Sequence, residues 1–438
     1  MRLNWFSPLP PARTDIANYT LRTLPALATR FEVTLYTNQE SWDPILHDYA
    51  QVRRVNSGEA YPIAELNRAE ISLFHIGNDY RFHTWIYELS RVYPGVVVLH
   101  ENCLHHFFAG LYHDLKKDRN AYLTAMQRHY NEEGVQAGLL FWQGMCSCDD
   151  LAARFPLTLH ALENSVGCIV HSLRTYHYLT EQYKGALTYA PLPYDTATLP
   201  DPQPRSTQPP FHLVLFGYMG PNRRVESVLR ALAEMPEKDQ FQLHVFGQLW
   251  DRNYVVQMID QLRLGSTVRL HGFLPEEMLR LRLNRAHMAF NLRYPTMGEA
   301  SGTQLRIWAH AVAGLVTRQG WYSDLPGNCV LFVNPENEIL DIQAQLRRLL
   351  NNPRDIADIG LRGFHYLQDH FSAESFAETV ARMADTLEGA RRQRAAIQLM
   401  GSAAMAANSW QTQHSNSMAQ SIAGRVLDML GEAAECES

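Results

Sequence analysis

Cysteine is scarce in this 438-residue chain: six residues (Cys103, Cys146, Cys148, Cys168, Cys329 and Cys436) with no framework spacing. That excludes a disulfide scaffold and reads as reduced thiols in a cytoplasmic protein. Long apolar runs are also missing, since no segment approaches the ~20 residues that a membrane span needs. The start, Met1-Arg2-Leu3-Asn4-Trp5-Phe6, reaches Ser7-Pro8 too soon to hold a signal-peptide core. Positive charge is not in excess: 39 Lys+Arg against 45 Asp+Glu give −6. A phosphate-backbone binder is usually basic, so nucleic acid is excluded as a partner.

What is present is an ordinary globular composition, 46% hydrophobic and 19% charged, on a chain long enough for two cores. Short apolar runs alternate with segments of helical period. They predict strands at 31–36, 71–76, 96–100 and 168–171, and then at 211–216, 241–246, 268–271, 288–292, 315–317 and 330–333. Continuous runs such as Val96-Val97-Val98-Leu99 fit parallel strands covered on both faces. The proline-rich stretch from Pro200 to Pro210 separates the two series. The expectation is α/β: two doubly wound domains, 1–198 and 211–370, joined by a linker at 199–210. A helix at 371–390 would return towards the first domain, and 391–438, rich in Ala, Ser, Asn and Gln, would be an appended tail of unknown role.

Ligands of such sheets bind outside the carboxyl ends of the strands. The polar residues at those ends are specific. His100-Glu101-Asn102 closes one strand, and Gly217–Arg224 follows the first strand of the second series. Arg293-Tyr294-Pro295-Thr296-Met297-Gly298-Glu299-Ala300-Ser301-Gly302 follows the strand at 288–292. Ser301 can cap a helix opening with Gly302-Thr303-Gln304, whose unpaired N–H groups make an anion site. An ordinary helix cap explains Ser301 equally well, but needs neither the neighbouring Glu299 nor Arg293. Cys146-Ser147-Cys148 lacks the second half of a structural zinc site, so no metal is expected there. Trp142, Trp250 and Trp321 read as core or cleft wall, with Trp321-Tyr322 placed in a turn where stacking is feasible.

The 293–302 segment, followed by Arg306-Ile307-Trp308, resembles the donor-binding segment of the family 4 glycosyltransferases, and within them a bacterial branch used in polysaccharide assembly. Phe6–Arg13 resembles the family's N-terminal loop, Phe216–Arg224 its phosphate loop and His370-Phe371-Ser372 its closing motif, in the same order over about 390 residues. The resemblance implies a GT-B fold, two Rossmann-like domains facing a central cleft with a helical C-terminal extension. It also implies retaining transfer of a sugar from a nucleotide-diphosphate donor (a GDP- or UDP-sugar) to a saccharide or lipid-linked acceptor, without a metal or other cofactor. The setting it implies is cell-surface glycan synthesis in the cytoplasm, with room for peripheral contact at the inner membrane face.

Carried over residue by residue, the resemblance makes His100, Glu299 and Arg223 the catalytic set. Arg223 would hold the diphosphate, while Glu299 and His100 would bond the donor sugar. Donor binding would fall to Gly217, Tyr218, Asn222, Arg293, Ala300, Ser301, Gly302, Thr303 and Arg306. Departures from the family are equally specific. Tyr218 stands where a second basic residue is common, and Arg293 or Arg306 would have to replace it. Arg306 stands in place of the second carboxylate, and Asp15, after Thr14, replaces a glycine of the N-terminal loop, where it would bind the acceptor or point outward. Ala311 and Ala313 replace a glycine and a proline. These changes support an alternative: a degenerate GT-B protein acting as a binding or regulatory subunit, with the C-terminal tail as its protein-partner element.

Overall fold

A computed structural model describes residues 1–55 and 63–387. The 391–438 tail and its partner role lie outside the described residues. The chain builds two parallel sheets. The first holds β1 (Arg2–Phe6), β2 (Glu32–Thr37), β3 (Ala50–Arg54), β4 (Ile71–Ile76), β5 (Val96–Leu99), β6 (Gly167–Val170) and β7 (Ala186–Tyr189). Its spatial order is β3-β2-β1-β4-β5-β6-β7. The second holds β8 (Phe211–Met219), β9 (Phe241–Leu249), β10 (Val268–Gly272), β11 (Met288–Asn291), β12 (Ala313–Thr317) and β13 (Val330–Val333), in the order β10-β9-β8-β11-β12-β13. This is the GT-B architecture.

Each sheet reverses its strand order once, between β1 and β4 and between β8 and β11. Those reversals open the crevices in which doubly wound sheets take ligands. The loops after β1, β4, β8 and β11 border those crevices.

Strands that read clearly from sequence are buried on both faces; all four residues of Val96–Leu99 are in the core. Three strands were not anticipated, and each has a local reason. In β1, Asn4 interrupts the apolar run, yet it is buried and donates to Leu66 O (2.9 Å) and Ser72 Oγ (3.0 Å). The first sheet's edges give a weak signal: in β3 only Ala50 and Val52 alternate with Gln51 and Arg53, and the four residues of β7 are all half-buried.

A helix over 373–387 returns to the first sheet. Phe376, Val380 and Met383 join the same core as Trp5 and Leu24. Tyr194 N donates to Phe371 O (2.7 Å), and Ala373 N donates to Tyr194 O (2.9 Å), so the crossing is sewn by main chain. Arg205, inside the proline-rich connection, donates to the carbonyls of Ala286 and His310 and pins that connection to the second lobe. Ala311 takes a left-handed φ of +51°, the conformation that a glycine adopts without cost. No helix among the described residues is long and apolar enough to cross a membrane.

Candidate functional site

The helix Gly302–Ala309 begins at the end of the loop after β11. Ser301 caps it, accepting from Gln304 N at 3.1 Å. Its hydroxyl also accepts from Asn291 Nδ2 (3.1 Å), and Asn291 is the fully buried last residue of β11. Through its carbonyl oxygen the same Asn291 accepts from Arg223 Nη1 at 3.0 Å. The guanidinium after β8 and the helix start after β11 are thus coupled through one side chain, on the same side of the sheet. Asn291 escaped the sequence reading, although a polar residue ending the run Met288-Ala289-Phe290 was its visible signal.

Arg223 is buried. A second donor reaches Phe216 O (3.3 Å), while Nε is shielded from solvent and unpartnered. Burial, with the like charge of Arg293 adding to it, pulls its pKa down to about 10. A buried guanidinium short of a counter-charge favours an incoming anion.

Glu299 is buried and pairs with Arg293 at 2.8 Å. Its other oxygen accepts from Thr296 Oγ1 (2.9 Å) and Met297 N (2.8 Å). Burial works against the Arg293 charge, but the neighbouring Glu299, Tyr322 and Glu101 keep its pKa raised. Three fixed contacts aim this carboxylate, which a surface glutamate near a helix start would not have.

The first lobe meets this loop directly. Met297 O accepts from both Asn102 N (3.0 Å) and Cys103 N (2.9 Å), so residues after β5 are joined by main chain to residues after β11. Gly298, at φ +82°, faces Asn102 so closely that a Cβ would collide with the Asn102 side chain. This join brings His100 and Glu101 to the same crevice as Glu299. The sequence names Glu101 only as part of the strand-closing His100-Glu101-Asn102 and gives it no role of its own. Burial, with Glu299 adding repulsion, lifts its carboxyl to about 8, and its Oε2 is shielded and unpartnered. His100 Nε2 lies 3.0 Å from His75 Nδ1, and burial holds both rings well below the ordinary imidazole range.

Other candidates fall less centrally. Thr14 caps the helix Asp15–Ala28 through Ile16 N (3.4 Å). Asp15 opens that helix, pairs with Arg22 at 2.9 Å, and holds its carboxylate over Gly302. Gly217 and Tyr218 do not belong to a loop: β8 runs on through Met219, pairing them with Gly247 and Gln248. Tyr218 is exposed, and the turn proper begins at Gly220. Asn222 O accepts from Tyr294 N at 2.8 Å, tying that turn to the donor segment.

Ala300 and Thr303 flank the helix start, half-buried. Arg306 is engaged elsewhere, in an ion pair with Glu276. Arg224, next to Arg223 in the turn, pairs with the buried Glu338 at 2.8 Å. Trp321 and Tyr322 are core residues rather than a stacking surface.

Among the described residues, the His, Cys and carboxylate groups close enough to share an ion are His129, His160 and Glu163. Glu163 already pairs there with Arg91, Arg128 (3.0 Å) and both histidines (3.0 Å each), and these guanidiniums oppose a cation.

No family model matches the chain, and no curated protein matches it. Solved structures do. Sucrose-phosphate synthase from Thermosynechococcus elongatus superposes with a TM-score of 0.61 at 15% identity, covering 88% of this chain and 99% of that one. HepE from Anabaena, in complex with UDP and glucose, gives 0.59 at 12% identity over 88% and 100%. WaaG, a glycosyltransferase involved in lipopolysaccharide biosynthesis, gives 0.56 at 15% over 88% and 100%. The chain is similar in fold, across both lobes, to these GT-B glycosyltransferases.

Proposed function

We propose that this protein is a retaining glycosyltransferase that moves a sugar from a nucleotide-diphosphate donor to a saccharide or lipid-linked acceptor, in cell-surface glycan synthesis. The observation that carries the reading is the Arg223–Asn291–Ser301 coupling. It sets a buried, charge-seeking guanidinium beside the N–H groups of a capped helix start, at a strand-order reversal. A diphosphate would take its charge compensation from both. Glu299, held by Arg293, Thr296 and Met297, would accept from hydroxyls of the donor sugar, and His100 would meet that sugar from the first lobe.

In this reading the acceptor oxygen attacks the anomeric carbon from the face that the diphosphate leaves. The C–O bond to the diphosphate breaks, and a diphosphate oxygen takes the acceptor proton. No protein nucleophile and no metal is called for, because Arg223 and the helix amides offset the developing charge. Fold neighbours add the class of ligand: HepE is described with UDP-glucose, and TarM with UDP and a saccharide.

The test is calorimetric titration with UDP-, GDP- and dTDP-sugars, followed by analysis of the anomeric configuration of the product. Binding at ~1 mM or tighter, with transfer that retains configuration, supports the enzyme. One observation favours the second reading, a binding or regulatory subunit: the Asp15 carboxylate already lies where a phosphate would approach Gly302. Silence across the donor panel would select that reading.

A further inference from the structure

Beneath the crevice, the first lobe carries a cluster of neutral imidazoles. His75 is the fifth residue of β4, opposite Val98 of β5, and His100 follows that strand. His75 is fully buried, its ring packed against Trp5 with centroids 4.0 Å apart. Around the pair lie His83, His171 and Tyr19. His83 Nδ1 donates to His75 O (2.9 Å), and His171 Nδ1 donates to Ala190 O (2.8 Å), so carbonyls fix the tautomers of those two rings.

The His75–His100 contact joins two ring nitrogens at 3.0 Å, and one proton must lie between them. Two arrangements satisfy that condition. If His100 Nε2 carried the proton, neutral His75 would hold its own on Nε2. That atom is sealed from solvent and has no partner, so the N–H would be orphaned in the core. If His75 Nδ1 carries the proton, His75 Nε2 is only a bare lone pair. Buried orphan donors are rarer and costlier than under-used acceptors. The penalty favours the second arrangement by ~10-fold or more.

We propose that His75 is a positioning residue that fixes His100 as the Nδ1–H tautomer, so that His100 offers the substrate a hydrogen-bond donor. His100 Nδ1 has no bond to another described residue, which leaves it for the crevice. Burial agrees with the scheme, since it keeps both rings neutral at physiological pH. The tautomer stands on the buried geometry alone; its use on a donor sugar rests on the transferase reading above.

Long-range proton–nitrogen NMR of the full chain labelled with 15N-histidine tests the assignment without any activity. At pH 7.5 the His100 signals, identified with His100→Gln, should report a proton on Nδ1, and His75→Asn, which keeps a donor near the Nδ1 position, should preserve it. In His75→Phe the fixed tautomer should be lost. In transfer assays His75→Phe should lower kcat by ~10–100-fold with donor KM within ~3-fold, and His75→Asn should recover most of that loss. A wild-type His100 protonated on Nε2 overturns the proposal, as does an unchanged kcat in His75→Phe. If no nucleotide sugar binds or turns over, the transferase reading falls, while the spectra still decide the tautomer.

Discussion

The carboxylate of Asp15 lies over the Cα of Gly302, so that even a methyl group at position 302 would strike Oδ2. A negative side chain from the first lobe therefore rests against the start of the second lobe's anion-seeking helix. The helix dipole favours that placement, and a bound diphosphate would compete for it.

Removing this built-in competitor should tighten nucleotide binding. Asp15→Asn, which keeps the shape and drops the charge, is expected to lower the Kd for UDP or GDP roughly tenfold. Calorimetry at fixed ionic strength measures it. Weaker binding in Asp15→Asn would instead place Asp15 among the nucleotide's own contacts.

Arg223 places a buried guanidinium at the crevice, bonded to Asn291 and Phe216 O. Arg223→Ala should reduce turnover by ~10²–10³ if the guanidinium offsets charge on the leaving diphosphate. Because the side chain is buried and bonds Asn291 and Phe216, the variant should also melt earlier. Initial rates taken well below the melting range separate the two effects, and full activity there would remove Arg223 from the reaction.

Glu101 gives a dependence on pH with a definite sign. Its carboxyl rises from an ordinary 4.5 to about 8, so between those values the folded chain holds a proton that the unfolded chain has released. This group's contribution to stability is present in full below pH ~4.5 and is lost as pH climbs towards 8, at no more than ~1.4 kcal/mol per unit. Glu101→Gln should cancel that slope. Urea denaturation of both proteins at pH 5, 6.5 and 8 should show the glutamine variant gaining on the wild type as pH rises; parallel curves would show that Glu101 ionises normally.

Arg205 should matter for stability and not for ligand. Arg205→Ala removes two charge-assisted bonds to the Ala286 and His310 carbonyls, a loss of about 2–4 kcal/mol in chemical denaturation. Nucleotide affinity should stay unchanged. A shift in affinity without loss of stability would contradict its role as a clamp on the connection.

The sequence disclosed most of the scaffold because doubly wound strands are apolar along their whole length; 71–76 and 330–333 coincide with β4 and β13. It failed where tertiary contacts override pattern, as at Asn4, whose buried amide is satisfied by Leu66 and Ser72 from distant segments. The crevice was legible wherever a polar residue follows a strand, as for His100, Arg223, Glu299 and Ser301. Their partners were not. Asn291 ends one apolar run and His75 interrupts another, and their significance depends on register: His75 meets His100 because β4 aligns it with Val98. Arg306 and Arg224 show the reverse case, charges whose carboxylate partners, Glu276 and Glu338, lie 30 and 114 positions away.

The junction at Met297 has one more implication. Amide and carbonyl atoms make it, and every residue type but proline supplies those, so identities at 102 and 103 can drift without loosening it. The tolerance ends at Gly298, where added bulk wedges the two halves of the molecule apart. Evolutionary freedom on one side of the seam is thus matched by strict economy of volume on the other.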